Sequence, residues 1–233
     1  MRSRSPATQG WARAPRQVFF MIAIVDYGAG NLSSVFKAVA NIGFSSTVTS
    51  DPDVVRSSQT LVLPGVGSAG DAMQRLQQLG LQDAIQDSIR RGVPFLGICL
   101  GLQLLLDISE ESGEQPCLGV IPGAVRRLPK GLKVPHIGWN QVKQCVKHAV
   151  FSGIPDNSEF YFVHSYYPDP QDRNVVAGET GYGVNFCSVL AVDNIVATQF
   201  HPEKSGLQGL KLLANFFGFA HAKGSGSRRL ARP

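Results

Sequence analysis

The stretch Val93-Pro94-Phe95-Leu96-Gly97-Ile98-Cys99-Leu100-Gly101-Leu102-Gln103 constrains the fold more than any other. An apolar run ends at Cys99, and a helix-like run begins at Leu100. Gly97 and Gly101 stand two residues to either side of the cysteine. That is the spacing of a sharp strand-to-helix elbow, where glycines relieve the crowding around a projecting nucleophile. The free N–H groups at the start of the helix would favour a thiolate, the reactive form of cysteine. The backbone N–H of Leu100 would be placed to stabilise an oxyanion. The plainer alternative is an inert cysteine at a strand end, because free cysteine is among the most buried residue types. The paired glycines favour the elbow.

An elbow needs a sheet behind it, and the chain before Asp107 supplies one. Phe19 to Val25 is a continuous apolar run, read as a central parallel strand. Asp26-Tyr27-Gly28-Ala29-Gly30-Asn31 is a turn, and Leu32, Val35, Phe36 and Val39 then recur at helical spacing. Thr47 to Thr49 and Thr60 to Leu63 read as strands. Pro64 to Gly70 is a glycine-rich turn. Helical periodicity returns through Met73, Leu76 and Leu79, and again through Ala84, Ile85 and Ile89. This order predicts an α/β fold: a doubly wound, mostly parallel, flavodoxin-like sheet flanked by helices. Sites in such sheets lie at the carboxyl ends of the strands, where the turns 26–31, 64–70 and 97–101 fall.

The second half changes character. Short strand-like runs at Val134–Trp139, Glu159–Val163, Val175–Ala177, Ser188–Val192 and Ile195–Gln199 predict an antiparallel extension. Leu207 to Phe219 closes as a helix. The expected division is a basic leader over 1–20, one domain over 21–218 and a disordered basic tail over 219–233.

Charge supports that division. The chain of 233 residues carries a formal net charge of +5. Arg2, Arg4, Arg13 and Arg16 lie in the leader, and Lys223, Arg228, Arg229 and Arg232 in the last thirteen residues. Setting these eight charges aside turns +5 into −3 for residues 21–220. The body therefore has no basic footprint for nucleic acid. The leader reads as an organellar transit segment, or as residues preceding a true start at Met21. No apolar run is long enough to span a bilayer. Cys99, Cys117, Cys145 and Cys187 are scattered without a C-x-x-C pair, so neither a metal (zinc) site nor a dithiol redox motif is indicated, and a disulfide framework is not expected in a chain this long and core-rich.

A cysteine nucleophile needs a base and a group to orient it. His221 lies in the tail and His148 in a polar loop, while His136 and His164 are possible bases. His201 has the best context, at the end of an apolar strand and followed by Pro202-Glu203. Pro202 fixes the turn so that the carboxylate can reach back, giving a Cys99–His201–Glu203 triad. Taken singly, His201 reads as a structural histidine and Glu203 as an acid at a helix start. A second oxyanion donor would come from Pro64-Gly65-Val66-Gly67, where Val66 N–H could be turned toward the site by a peptide flip. The same loop could instead form a phosphate nest. There is no Walker lysine, and Gly28-Ala29-Gly30-Asn31 lacks a third glycine, so nucleotide binding is the weaker alternative.

Gly97-Ile98-Cys99-Leu100-Gly101-Leu102-Gln103 with the late His201-Pro202-Glu203 resembles a class I glutamine amidotransferase domain. Within that class, several stretches resemble the glutaminase subunits of imidazole glycerol phosphate synthases. These are Ile24 to Val35, Leu63 to Gly67, Ile121-Pro122-Gly123, His136 to Asn140, Tyr161 to Tyr166 and Gln199 to Ser205. They cover residues 21–218 in the family's order, and the opening Asp26-Tyr27-Gly28-Ala29-Gly30-Asn31 separates this branch from other glutaminases.

The resemblance implies that Cys99 attacks the amide of glutamine, that His201 protonates departing ammonia and that water releases glutamate from a thioester. Ammonia would pass to a (β/α)8-barrel cyclase, the other half of a heterodimer in histidine biosynthesis. Gly67 and Gln103 match positions that hold glutamine, and Ser165 and Tyr166 match a backbone contact to it. Trp139, Asn140, Tyr161 and Lys204 match the face turned to the cyclase. The implied protein is cytoplasmic, with no cofactor. Two departures stand out: Leu102 where methionine is common, and a loop from Asp107 to Cys117 without the expected glycine-rich acidic turn. A glutaminase for another synthase, or an idle interaction module on the same sheet, are the rival readings; the Tyr27–Asn31 turn and the intact triad argue against them.

Overall fold

A computed structural model describes residues 21–226 except Ala29 and Ser112. The proposed leader, and the tail beyond 226, lie outside the described residues. The first half follows the expected order. It runs β1 (Ile22–Val25), α1 (Leu32–Asn41), β2 (Ser46–Thr49), α2 (Pro52–Ser57), β3 (Thr60–Gly65), α3 (Ala69–Gln78), α4 (Leu81–Arg90), β4 (Phe95–Cys99) and α5 (Leu100–Gln103). The second half holds β5 (Ile108–Ser109), β6 (Gln115–Pro116), β7 (Gly123–Arg127), β8 (His136–Gln144), β9 (Ser158–His164), β10 (Tyr166–Pro170), β11 (Val176–Gly181), β12 (Asn185–Val192), β13 (Ile195–Thr198) and α6 (Gly206–Gly226).

Nine strands form the main sheet in the order β2-β1-β3-β4-β13-β12-β11-β8-β9. The first five are parallel, and from β12 onward every pairing is antiparallel. The expected change of character therefore falls between β13 and β12. β13, expected in the antiparallel extension, is the last parallel strand.

Alternation along the strands sends side chains to two cores. Ala23, Val25, Leu61 and Leu63 face Val55, Leu76, Leu81 and Ile85 of α2 to α4. Ile22, Ile24, Val62, Leu96 and Ile98 face Val35 and Val39 of α1 and Leu212, Leu213, Phe216 and Phe217 of α6. Both faces of the parallel half are thus covered, which is why β1, β3 and β4 are buried at every residue.

Three elements depart from the sequence reading. α2 was not expected, although Asp51 caps it by accepting from Asp53 N at 2.8 Å and Pro52 opens its first turn. β10, β7, β5 and β6 form a second, four-stranded sheet. Its two-residue strands β5 and β6 are too short to show periodicity. α6 runs past Phe219 to Gly226, and Ala220, inside the tail expected over 219–233, is fully buried.

Candidate active site

The carboxyl ends of β3, β4 and β13 lie side by side, with Gly65 opposite Cys99 and Thr198 opposite Ile98. Cys99 itself has φ 54° and ψ −106°, a conformation a cysteine adopts only under constraint. The flanking glycines supply that constraint by close approach. A Cβ on Gly97 would lie 2.8 Å from the Gly101 carbonyl oxygen, and one on Gly101 would lie 1.8 Å from the Leu63 carbonyl oxygen. The elbow is therefore locked between β3 and β13. The helix after it is short: α5 is a single turn of 4 residues. Its dipole is correspondingly small, so the sulfur depends on individual donors more than on a long helix.

Those neighbours are fixed. Gln199 Nε2 donates to Cys99 Sγ at 3.6 Å, and the thiol faces the Val163 carbonyl at 3.9 Å. His201, at the end of β13, is 1% exposed. Its Nδ1–H donates to Glu203 Oε1 at 2.8 Å, across the turn that Pro202 opens. Asn31 Nδ2 donates to the same oxygen at 2.5 Å, tying the first turn of the sheet to the carboxylate. His201 Nε2 is buried without a hydrogen-bond partner among the described residues, free to exchange a proton with Cys99 or a ligand. Burial alone would lower the proton affinity of His201. Interaction with the Cys99 sulfur and the Glu203 carboxylate outweighs it, and the imidazole is pushed up to about 9.

A cavity of about 250 Å³ opens beside the sulfur. It is lined by Cys99, Leu100, Val66, Gly67, Gln103, Ser165 and Tyr166, so the expected nucleophile, oxyanion donors and glutamine-holding residues share one wall or another of it. Val66 is 38% exposed, unlike the buried residues of β3 before it. Gly67 has φ +96° and open space where a Cβ would stand. Gly65 differs: a Cβ there would lie 2.2 Å from Tyr27 Oη and 2.9 Å from Leu100 Cβ. Packing alone therefore requires glycine at 65, while Gly67 is the one held at positive φ.

Three site residues escaped the sequence reading. Glu111 lines the cavity and accepts from Ala69 N at 2.7 Å through Oε2. It belongs to the irregular Asp107–Cys117 loop, and its acidity was the only available signal. Asn31 lies in a turn recognised for its glycines. Gln199 precedes Phe200-His201 and reads as the end of a strand.

His136 and His164, the other possible bases, are committed elsewhere. His164 Nδ1–H donates to the Tyr166 carbonyl at 2.9 Å, and its Nε2 accepts from His136 Nδ1–H at 2.9 Å. Burial lowers the His164 imidazole to about 3, and burial lowers His136 as well. The Tyr166 carbonyl also accepts from Gln103 Nε2 at 2.9 Å. That carbonyl is engaged within the chain, and contact between Tyr166 and a ligand falls to its other atoms.

The expected partner-facing residues cluster on β8, β9 and the turn after His201. Trp139 and Tyr161 are cross-strand partners whose rings meet edge-on at 6.2 Å, and Trp139 is 55% exposed. Lys204 is exposed. Asn140 is half-buried, its Nδ2 donating to the Gly181 carbonyl at 3.1 Å and lying 3.3 Å from His136 Nε2. This face reaches His201 through the backbone: His201 N–H donates to the Tyr161 carbonyl at 3.0 Å, and Tyr161 N–H to Ser205 Oγ at 3.0 Å.

The class I glutamine amidotransferase family model matches residues 23–219. An imidazole glycerol phosphate synthase subunit HisH from Dehalococcoides mccartyi is 53% identical over 200 residues, covering 86% of this chain and 98% of the relative. HisH subunits from Geobacter sulfurreducens (51% identical, covering 84% and 97%) and Methanococcus maripaludis (50%, covering 84% and 98%) are similar to the same extent. Among solved structures, PurLQS from Thermotoga maritima shares the fold with a TM-score of 0.66 at 18% identity, covering 85% of this chain and 98% of that one. A glutamine amidotransferase from the same organism has a TM-score of 0.57 at 18% identity, covering 88% and 85%. The elbow, the His201–Glu203 pair and these likenesses agree: the chain belongs to the class I glutamine amidotransferases, within the family of imidazole glycerol phosphate synthase HisH subunits.

Proposed function

We propose that this chain is the glutaminase subunit of an imidazole glycerol phosphate synthase, working in the cytoplasm as one half of a heterodimer with a cyclase. The observation that carries the reading is the buried His201–Glu203 pair set behind Cys99 at a cavity suited to a single amino acid. Glutamine enters with its side-chain amide beside the sulfur. Cys99 passes its thiol proton to His201 Nε2 and its Sγ attacks the amide carbon, and the oxyanion is held by the N–H groups of Leu100 and Val66. His201 gives its Nε2 proton to the departing nitrogen, the C–N bond breaks, and ammonia leaves a glutamyl thioester on Cys99. Water then attacks the thioester, losing its proton to His201; the C–S bond breaks, the proton returns from His201 to the Cys99 sulfur, and glutamate is released. Glu203 keeps His201 oriented throughout, with Nδ1 protonated. Gly67, Gln103, Ser165 and Tyr166 hold the substrate.

The cyclase would cover Trp139, Asn140, Tyr161 and Lys204 and receive the ammonia without its meeting bulk water. It would make imidazole glycerol phosphate and the aminoimidazole ribotide by-product of histidine biosynthesis. Control by the partner would act at the open end of β3. Resting, the peptide before Val66 can present a carbonyl to the site; flipped, it presents an N–H. Missing one such donor lowers the rate by about 10²–10³-fold. A liganded cyclase must bind the two states unequally to shift them. The test is glutamine turnover by the chain alone, with cyclase, and with cyclase plus a ribonucleotide analogue. A stepwise rise supports the reading. Equal turnover in all three removes the control, and no turnover in any removes the glutaminase.

A further inference from the structure

Gln199 is fully buried, yet every polar atom of its side-chain amide has a partner. Its Nε2 faces Cys99 Sγ at 3.6 Å, and its Oε1 faces Gln103 Nε2 at 3.0 Å. Which end of such an amide faces which neighbour is fixed by what the neighbours can do. The Tyr166 carbonyl can only accept, so the Gln103 atom 2.9 Å away must be its amide nitrogen. That nitrogen has a second hydrogen, which requires an acceptor in Gln199, its Oε1. The nitrogen of Gln199 is then left to point at the sulfur. One backbone carbonyl sets the direction of two side-chain amides.

The same carbonyl is approached from the other side by His164 Nδ1–H. That bond makes His164 Nε2 an acceptor and His136 Nδ1 its donor. His136 Nε2 is left to accept from Asn140 Nδ2. Two runs of donors, one from Asn140 on β8 and one from Gln103, thus converge on the Tyr166 oxygen. With its acceptor capacity filled from both sides, that oxygen leaves Gln103 no competing arrangement.

We propose that Gln199 is a further catalytic residue, whose oriented N–H stabilises the Cys99 thiolate during attack and when the thioester is hydrolysed. The proposal rests on Cys99 as the nucleophile of the glutaminase described above. When the S–H bond breaks, the proton passes to His201 Nε2 and the negative charge remains on sulfur. Burying that charge is unfavourable without donors. The one-turn α5 offers little dipole, and the Val163 carbonyl facing the sulfur disfavours an anion. Gln199 supplies a neutral donor that is already in place and needs no reorganisation. A neutral donor suits this position, because it stabilises the anion without taking the proton that His201 must carry.

The experiment measures alkylation of Cys99 by iodoacetamide as a function of pH, read by peptide mass spectrometry on the full chain in complex with its cyclase. Cys117 and Cys145 in the same molecules report whether the fold is kept. Gln199→Met keeps the volume and removes the donor, and Gln199→Glu replaces the donor with a carboxylate. Alkylation of Cys99 at pH 7 is expected to slow about tenfold in Gln199→Met, with its midpoint moved up by about one pH unit, and to slow more in Gln199→Glu. Should Gln199→Met not fold, Gln103→Met carries the test: it frees the Gln199 amide to turn, and a smaller upward shift is expected. An unchanged midpoint in a folded variant overturns the proposal, even where glutamine turnover falls, because a packing role would not move it. Failure of the glutaminase reading looks different: a normal alkylation profile in the wild-type complex with no glutamine turnover at all.

Discussion

Two pairs of buried polar side chains, one in the turn that follows the last parallel strand and one on the antiparallel pair β8 and β9, resolve burial in opposite ways. On the parallel side, His201 faces a carboxylate and a sulfur, and its imidazole is pushed up to about 9. On the antiparallel side, His164 faces another histidine and a carbonyl, and burial lowers it to about 3. Both rings are almost wholly removed from water. The difference lies in their partners: anions repay the desolvation of an imidazolium, whereas a neutral ring and a carbonyl hold one tautomer in place. The charged pair is suited to proton transfer, and the neutral pair to holding geometry.

The largest test of this contrast removes the sulfur. Cys99→Ala is expected to abolish glutamine-dependent synthesis by the complex while sparing synthesis from free ammonia. On the proposed division of labour the thiolate only generates ammonia, and the ring-forming chemistry would belong to the cyclase. Alanine is smaller than cysteine, so the fold should survive. Measuring both reactions on one preparation checks it, and loss of the ammonia-dependent reaction from an intact complex would break the division of labour.

Removing the carboxylate comes next. Glu203→Gln keeps a hydrogen-bond acceptor for His201 Nδ1 but removes the charge, and glutamine turnover should fall by about 10²-fold or more. Stability should respond to pH as well. A histidine raised in the folded state contributes stability that is full below about 6.5, its unfolded value, and lost as pH rises through about 9. Chemical denaturation of the wild type should therefore show weakening between those values. In Glu203→Gln that alkaline decline should shrink, and an unchanged decline would place the anionic partner elsewhere.

A third test asks how tightly the parallel side is built. Gly65→Ala brings a Cβ within 2.2 Å of Tyr27 Oη, so the neighbours must move, at about 1–3 kcal/mol. Tyr27 Oη is buried with no hydrogen-bond partner among the described residues, so Tyr27→Phe alone should be near neutral. Because the same hydroxyl obstructs the new methyl, the double variant should recover part of the loss. A double-mutant cycle of denaturation free energies measures the coupling. Strictly additive effects would show that the clash is relieved through Leu100 instead.

How much of this could be read from the chain follows the same divide. The parallel half was legible because its strands are buried on both faces and its helices repeat at 3.6 residues. The Cys99 elbow and His201–Glu203 were legible because each depends on residues at most two positions apart. The wall between them was not. Gln199 meets Gln103 across 96 residues, Asn31 meets Glu203 across 172, and His136 meets His164 across 28. No local pattern marks a glutamine whose importance comes from what another strand places opposite it. The second sheet was missed because its short strands owe their conformation to pairing, and α2 because six residues are too few for periodicity. The boundary at 218 cut α6 because composition turns polar before the helix ends.

The smallest expected effect concerns the neutral pair, and its sign is opposite to that of His201. His164 titrates far lower folded than unfolded, so in mild acid the unfolded chain binds a proton that the folded chain excludes. Its contribution is full above about 6.5 and lost as pH falls toward about 3. In that window one such proton steepens the decline by at most about 1.4 kcal/mol per pH unit. His164→Asn removes the titration, while its short amide can still donate to the Tyr166 carbonyl. At neutral pH the variant should be less stable by about 1 kcal/mol, because the hydrogen bond from His136 has no acceptor. As pH falls from 6.5 the wild type should lose stability faster, and the two curves should converge. Denaturation midpoints at half-unit steps between pH 7 and 4 would show it. Curves that stay parallel would mean that His164 binds its proton in the folded protein. A cation next to the Tyr166 carbonyl could not accept from His136, and the contrast between the two pairs would fail.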